Sequence, residues 1–188
     1  MKRPVAFWLL PGEAAMQRFV KCIDDLSARY HAPRFLPHVT LHVSDLARDA
    51  DLDAALDEVA RRFAPFQMRA GPTGHSPVRF KALFVPLSGG DIVGLANALA
   101  SEAAPWCSTP GNGGDSAVAY RLEPHLSLLY QVLPEAERAR LAACHDCAGD
   151  VIDFDRITAV RPAPGAEDFA CVEEWVILPP RLLVGTSR

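Results

Sequence analysis

Two pentapeptides of this chain share one pattern. Pro37-His38-Val39-Thr40-Leu41 and Pro124-His125-Leu126-Ser127-Leu128 both read proline, histidine, aliphatic, hydroxyl, leucine, and they lie nearly half a chain apart. Each reads as the start of a strand, where proline is tolerated because the ladder does not need its missing N–H. Alternate residues of a strand share a face. His38 therefore goes with Thr40 and His125 with Ser127, while Val39, Leu41, Leu126 and Leu128 point the other way. If the two strands flank one hole, two imidazoles and two hydroxyls surround a space of phosphate size. With an ordinary pKa of about 6.5, one imidazole can be neutral and the other protonated near neutral pH. A neutral ring takes a proton from water, and a protonated ring gives one to a departing ribose oxygen. Hydrolysis of a phosphodiester needs those two acts on opposite sides of phosphorus. The hydroxyls of Thr40 and Ser127 are placed to donate to the non-bridging oxygens.

Other constellations fare worse. A zinc set of His38, Thr40 and His42 fails on distance, since His42 lies about 13 Å along the strand from His38. His42 reads as an ordinary strand histidine. Acidic residues do not cluster around either pentapeptide, although Glu123 precedes the second. No metal and no cofactor is expected. Cys144-His145-Asp146-Cys147 is a CxxC without a second pair to complete four zinc ligands and without a strand feeding it, so it reads as a helix end with incidental thiols. The loop Ser108–Ser116 is glycine-rich but lacks the Lys-Ser/Thr of a phosphate-cradling loop.

The elements that must position these residues follow from hydrophobic periodicity. A first strand is expected at Val5–Leu10, ended by Pro11-Gly12. A helix follows over Glu13–Tyr30, with Met16, Phe19, Val20, Ile23 and Leu26 on one stripe. Strands are expected at Leu36–Val43, Gln67–Ala70, Val78–Leu87, Pro124–Val132, Val151–Val160 and Phe169–Leu178. Further helices are expected over Asp49–Phe63, Ile92–Ala104 and Pro134–Cys147, the second of them capped by Asp91. The order β-α-β-α-β-β, then α-β-α-β-β, makes two rhyming halves. It implies an α+β architecture with two similar lobes in one bilobal domain spanning residues 1–188.

Composition narrows the function classes. The chain has 188 residues, is 49% hydrophobic and carries a net charge of −4, which excludes a wholly disordered polypeptide. No apolar run approaches the roughly 20 residues of a membrane span, so no membrane association is expected. The apolar start Val5–Leu10 is too short for a signal peptide and leads into an amphipathic pattern. The mild acidity argues against gripping long nucleic acid by charge alone, while a small phosphate ligand remains compatible. Five cysteines without regular spacing fit reduced thiols in a cytoplasmic protein.

At these residues the chain resembles the 2H phosphoesterase superfamily, named for two His-x-Thr/Ser motifs. Its closest likeness is to the cyclic phosphodiesterases of tRNA-splicing by-product metabolism. Phe7-Trp8-Leu9-Leu10-Pro11 resembles the aromatic-rich first strand of that group. Ala32-Pro33-Arg34-Phe35-Leu36-Pro37-His38-Val39-Thr40 resembles its first motif with flanks. Pro124-His125-Leu126-Ser127-Leu128-Leu129-Tyr130 resembles the second, and Val172-Glu173-Glu174-Trp175 the final strand. The loop Ser108–Ala119 departs from the group by its length and glycine content.

The resemblance implies a bilobal fold, with each lobe an antiparallel sheet with outer helices, pseudo-twofold related about a central groove. It implies metal-independent hydrolysis of a cyclic phosphodiester on a small nucleotide: ADP-ribose 1″,2″-cyclic phosphate or a nucleoside 2′,3′-cyclic phosphate. His125 becomes the base that activates water, His38 the acid, and Thr40 and Ser127 the phosphate donors. Tyr130 stands where the group has an aromatic lining the site. Trp8 either stacks a base or sugar or is simply core. The implied partner is the small cyclic nucleotide, and the expected oligomeric state is a monomer. Two alternatives stay open. One is an RNA 2′-5′ or RNA 3′-end activity, for which Arg34, Arg79, Lys81 and Arg121 are the few basic candidates. The other is a non-catalytic nucleotide-binding module.

Overall fold

The computed structural model describes residues 2–107, 120–166 and 168–185. Strand β1 (Lys2–Pro11) is hydrogen-bonded on both edges, to β2 (Val39–Ala47) and to β7 (Val151–Pro162). Phe7 and Leu9 enter the main core, while Ala6, Trp8 and Leu10 form a second cluster with Val160 on the opposite face. Burial on both faces explains why Val5–Leu10 shows no polar alternation. β7 also carries β3 (Phe66–Ala70), β8 (Trp175–Ile177) and β9 (Arg181–Leu182).

Strand β5 (Leu83–Ser88) joins the two parts of the sheet. Its end, Leu87 and Ser88, pairs with β3, whereas Leu83–Pro86 pair with β6 (His125–Leu129). The short β4 (Gly74–His75) pairs with the start of β5. All of these pairings are antiparallel. Among the described residues four α-helices complete the α+β architecture: α1 (Glu13–Tyr30), α2 (Leu52–Arg62), α3 (Ile92–Ala103) and α4 (Glu135–Cys144). α1 and α4 cover β6 and β5, while α2 and α3 cover β7 and β2.

Local chemistry sets the helix starts. Asp51 accepts a hydrogen bond from the Ala54 N–H at 2.9 Å, so α2 begins at Leu52 rather than at Asp49. Asp91 does the same for Gly94 at 3.1 Å and opens α3. Such a cap is worth about 1 kcal/mol. The α1 stripe buries Phe19, Ile23 and Leu26 as its spacing demands.

Three expected strands differ. The segment Val78–Leu87 is not one strand: Arg79–Lys81 form a 3-10 turn before β5. Ser76 closes that turn, accepting from the Val78 N–H and donating its hydroxyl to the Lys81 carbonyl at 2.7 Å. Of Phe169–Leu178 only Trp175–Ile177 is strand, because the chain folds back so that the Trp175 indole N–H donates to the Phe169 carbonyl at 3.2 Å. The first-motif strand starts at Val39 and runs to Ala47, displaced from Leu36–Val43, because the Leu36 carbonyl is taken by a side chain. The loop Ser108–Ser116, and with it the stretch to Ala119, lies outside the described residues. The CxxC falls at the end of α4, and its cysteines are free thiols.

Candidate active site

The motif strands are pinned by their apolar residues. Val39, Leu41, Leu126 and Leu128 are at most 1% exposed and join one core. Each such burial stabilises the fold by about 1.5–3 kcal/mol, which decides the face each strand turns inward. His38, Thr40, His125 and Ser127 are left on the other side. All four line a single cavity of about 350 Å³, together with Val43, Phe80, Tyr120 and Tyr130.

Both imidazoles are held in the same way. His38 Nδ1 lies 2.6 Å from the Leu36 carbonyl, and His125 Nδ1 lies 2.6 Å from the Glu123 carbonyl. Each reaches two residues back, across the motif proline. A carbonyl only accepts, so Nδ1 carries hydrogen in both rings and Nε2 is left as the reactive nitrogen. The proline keeps the residue before it extended, which presents that carbonyl to the ring.

The two rings differ in what surrounds them. His38 is 6% exposed and lies face to face on Trp8, with 3.6 Å between centroids and 8° between planes. Burial pushes its pKa down to about 4, against the Leu36 carbonyl, and the nearby His125 adds to the shift. His125 is less enclosed and meets the edge of Phe84. Its pKa is also lowered, by burial first; the Glu123 carbonyl opposes this, and the smaller effects of Lys81, which lowers it, and of the Glu123 carboxylate, which raises it, act against each other. Lys81 is bound to the Glu123 carboxylate at 2.8 Å and sits over the Phe84 ring.

The hydroxyls also differ. Ser127 donates to the Phe80 carbonyl at 2.9 Å. Thr40 makes no side-chain hydrogen bond among the described residues, and its backbone carbonyl accepts from the Tyr120 hydroxyl at 3.0 Å. Among the described residues the Thr40 hydroxyl is thus unbonded, whereas that of Ser127 is committed to the Phe80 carbonyl.

Trp8 is 2% exposed, with one face occupied by His38 and its edge against Trp175. It packs against the His38 ring and also borders a smaller apolar pocket beside the site. Tyr130 is 4% exposed and stacked on Phe35 at 3.7 Å. Burial raises the pKa of its phenol, so it stays neutral. His42 does not share the face of Thr40. The β1–β2 register shifts between Phe7 and Trp8, so Thr40 pairs with Trp8 while His42 pairs with Phe7 on the core side.

The sequence reading missed several lining residues. Tyr120 and Phe80 come from an irregular segment and a 3-10 turn. Val43 reaches the cavity only because the bulge brings it into phase with Thr40. A second pocket of about 150 Å³ shares His38, Thr40, Val43, Phe80 and Tyr130, and is otherwise apolar, with Ala6, Trp8, Phe169 and Trp175. Among the described residues no group of three or more His, Cys, Asp or Glu side chains is placed to hold a metal ion. No described helix is long and apolar enough to cross a membrane.

This combination defines a class: an antiparallel α+β scaffold that brings two His-x-Thr/Ser strands to one cavity. The family model of the 2′-5′ RNA ligase superfamily matches residues 11–158. The chain belongs to that superfamily, the 2H phosphoesterases. It is 27% identical over 131 residues to a cyclic phosphodiesterase of Arabidopsis thaliana, covering 70% of this chain and 67% of the relative. The fold is similar to that of TT0787 of Thermus thermophilus (TM-score 0.60, 17% identity, 100% of both chains). It is also similar to E. coli LigT complexed with 3′-AMP (TM-score 0.52, 18% identity, 97% of this chain and 99% of that one).

Proposed function

We propose that the protein hydrolyses a cyclic phosphodiester on a small nucleotide to a phosphomonoester, without a metal ion. The observation that carries this reading is the single cavity lined by His38, Thr40, His125 and Ser127. In the proposed reaction the neutral Nε2 of His125 takes a proton from water. The water oxygen bonds to phosphorus, the bond from phosphorus to a ribose oxygen breaks, and that oxygen receives the Nε2 proton of His38. The Thr40 hydroxyl donates to a non-bridging oxygen, and Ser127 joins it after leaving the Phe80 carbonyl.

The unequal surroundings of the rings support this division. His125 is the less enclosed of the two rings, where water can reach it, which suits the base. The indole face under His38 favours an imidazolium, which suits the acid. In the unliganded groove burial still keeps His38 neutral at pH 7. Its proton is therefore acquired together with the phosphate anion that pairs with it.

The apolar pocket beside His38 gives the base or sugar a place to lie. The related cyclic phosphodiesterase and the nucleotide complexes of LigT, with 3′-AMP, ATP and NADP+, agree with a small nucleotide. The basic residues near the motifs are partly committed: Lys81 to Glu123, Arg34 to Asp24, and Arg79 to the Phe80 ring. This argues for a small substrate over a long RNA.

The test is a panel with product identification. It comprises ADP-ribose 1″,2″-cyclic phosphate, nucleoside 2′,3′-cyclic phosphates, a cyclic-phosphate-ended oligonucleotide and a 2′-5′-linked dinucleotide. Turnover of the small cyclic phosphates above the others is expected. Preference for the oligonucleotide or the 2′-5′ linkage would replace this reading with an RNA-directed one. Tight binding without product would leave a binding module.

A further inference from the structure

A second cavity, of about 360 Å³, is lined by Arg3, Arg48 and Arg161 together with Val5, Leu46, Ala47, Ala50, Leu52, Pro164 and Val176. It lies away from the catalytic groove. Arg3 and Val5 share the β1 face of Phe7 and Leu9, opposite the face on which Trp8 meets His38. Arg3 is also five residues from Trp8, about 17 Å along the strand. A small cyclic nucleotide in the groove does not reach it.

The arginines here are unlike the others. Arg18, Arg34, Arg61, Arg62, Arg140, Arg156 and Arg181 are ion-paired. Arg69, Arg79 and Arg138 donate to backbone carbonyls, and Arg29 lies over the Tyr30 ring. Arg3, Arg48 and Arg161 have none of these partners among the described residues. Arg121 is the one other described arginine in that position, and it lies elsewhere. No described aspartate or glutamate lines the cavity. The chain as a whole has more acidic than basic residues, so gathering around one hollow three guanidinium groups without an acidic partner among the described residues runs against its average composition.

Three different elements bring them together. Arg3 comes from β1, opposite Leu46 on β2; Arg161 comes from β7, opposite Val176 on β8; Arg48 follows β2. Guanidinium groups bind phosphate oxygens in pairs of parallel hydrogen bonds. Val5, Leu46, Leu52, Pro164 and Val176 supply an apolar wall for an organic body. We propose that this cavity is a second ligand site, taking a small organic polyphosphate of the nucleoside di- or triphosphate class. The phosphates lie among Arg3, Arg48 and Arg161, and the organic part lies against the apolar wall.

The test is calorimetric titration of the intact chain with ATP, with pyrophosphate and with a single-stranded RNA 12-mer. The wild type, an Arg48→Gln/Arg161→Gln double variant and His38→Ala are compared. Arg48 and Arg161 are exposed, so the double variant is expected to melt with the wild type; single Arg48→Glu serves if it does not. The proposal expects ATP and pyrophosphate affinity at this site to fall at least tenfold in the arginine variants and to persist in His38→Ala. Cyclic phosphate hydrolysis, if present, is expected to be unchanged in the arginine variants. Unchanged ATP and pyrophosphate affinity in the arginine variants, or loss of that binding in His38→Ala, would overturn it. A loss confined to the RNA 12-mer would overturn the small-molecule assignment in favour of a polynucleotide.

Discussion

Trp8 and His38 lie ring on ring, 3.6 Å apart and almost parallel, in the wall of the apolar pocket beside the site. Trp8 sits on the central strand and pairs with Thr40 in register. One aromatic residue thus supports the first histidine while its backbone neighbour carries the free hydroxyl. A desolvated aromatic face stabilises a cation over it by about 2 kcal/mol. Replacing Trp8 with Phe, which keeps a face, is expected to change kcat less than threefold. Trp8→Leu is expected to lower kcat about tenfold and move the acid-dependent limb of the pH profile to lower pH. Comparison of the two pH profiles checks this; equal profiles would remove the support role.

The matched contacts of His38 with Leu36 and of His125 with Glu123 predict a tautomer. At pH 7.5, long-range proton–nitrogen NMR spectra should show both rings protonated at Nδ1 and bare at Nε2. A ring found with hydrogen at Nε2 instead would contradict the assigned roles.

The hydroxyls are predicted to separate. Thr40→Ala removes a free donor to the phosphate and is expected to cost about 10²–10³ in kcat with little change in stability. Ser127→Ala leaves the Phe80 carbonyl without its partner and is expected to cost about 1–3 kcal/mol of stability, with a smaller loss of kcat than Thr40→Ala. Steady-state kinetics and denaturant titration of the two variants separate these outcomes.

His38 also predicts a pH-dependent stability. Its folded pKa of about 4 lies below the ordinary 6.5. Below pH 6.5 the unfolded chain takes up a proton that the native chain refuses until about pH 4. The contribution is therefore complete above pH 6.5 and is lost as pH falls through that window, by up to about 3 kcal/mol. Denaturant unfolding between pH 8 and pH 4 should show a steeper loss in wild type than in His38→Gln. Parallel curves would show that His38 titrates normally.

Much of this was legible from residue types. The apolar alternation in Val39-Thr40-Leu41 and Leu126-Ser127-Leu128 was enough to place each histidine and hydroxyl on the face away from the core. The stripe Phe19, Ile23, Leu26 and the cap at Asp91 were equally local. What stayed hidden depended on partners distant in sequence. The register shift that turns His42 toward Phe7 is a property of two strands. The acceptor of the Ser127 hydroxyl lies in a turn 47 residues upstream. Trp8 carries no local sign that an imidazole covers its face, and Tyr120 enters the cavity through a bond to the Thr40 backbone.

The central claim is that His38 and His125 act together on one phosphate. The most direct measurement is the rate of 2′,3′-cyclic nucleotide hydrolysis in the presence of EDTA for wild type, His38→Ala, His125→Ala and the double variant. Wild type should be unaffected by EDTA, and each single variant should lose about 10²–10⁴ in rate. The double variant should lose far less than the product of the two, as groups acting as one unit do. Abolition of the wild-type rate by EDTA, or a wild-type rate in either single variant, would contradict it.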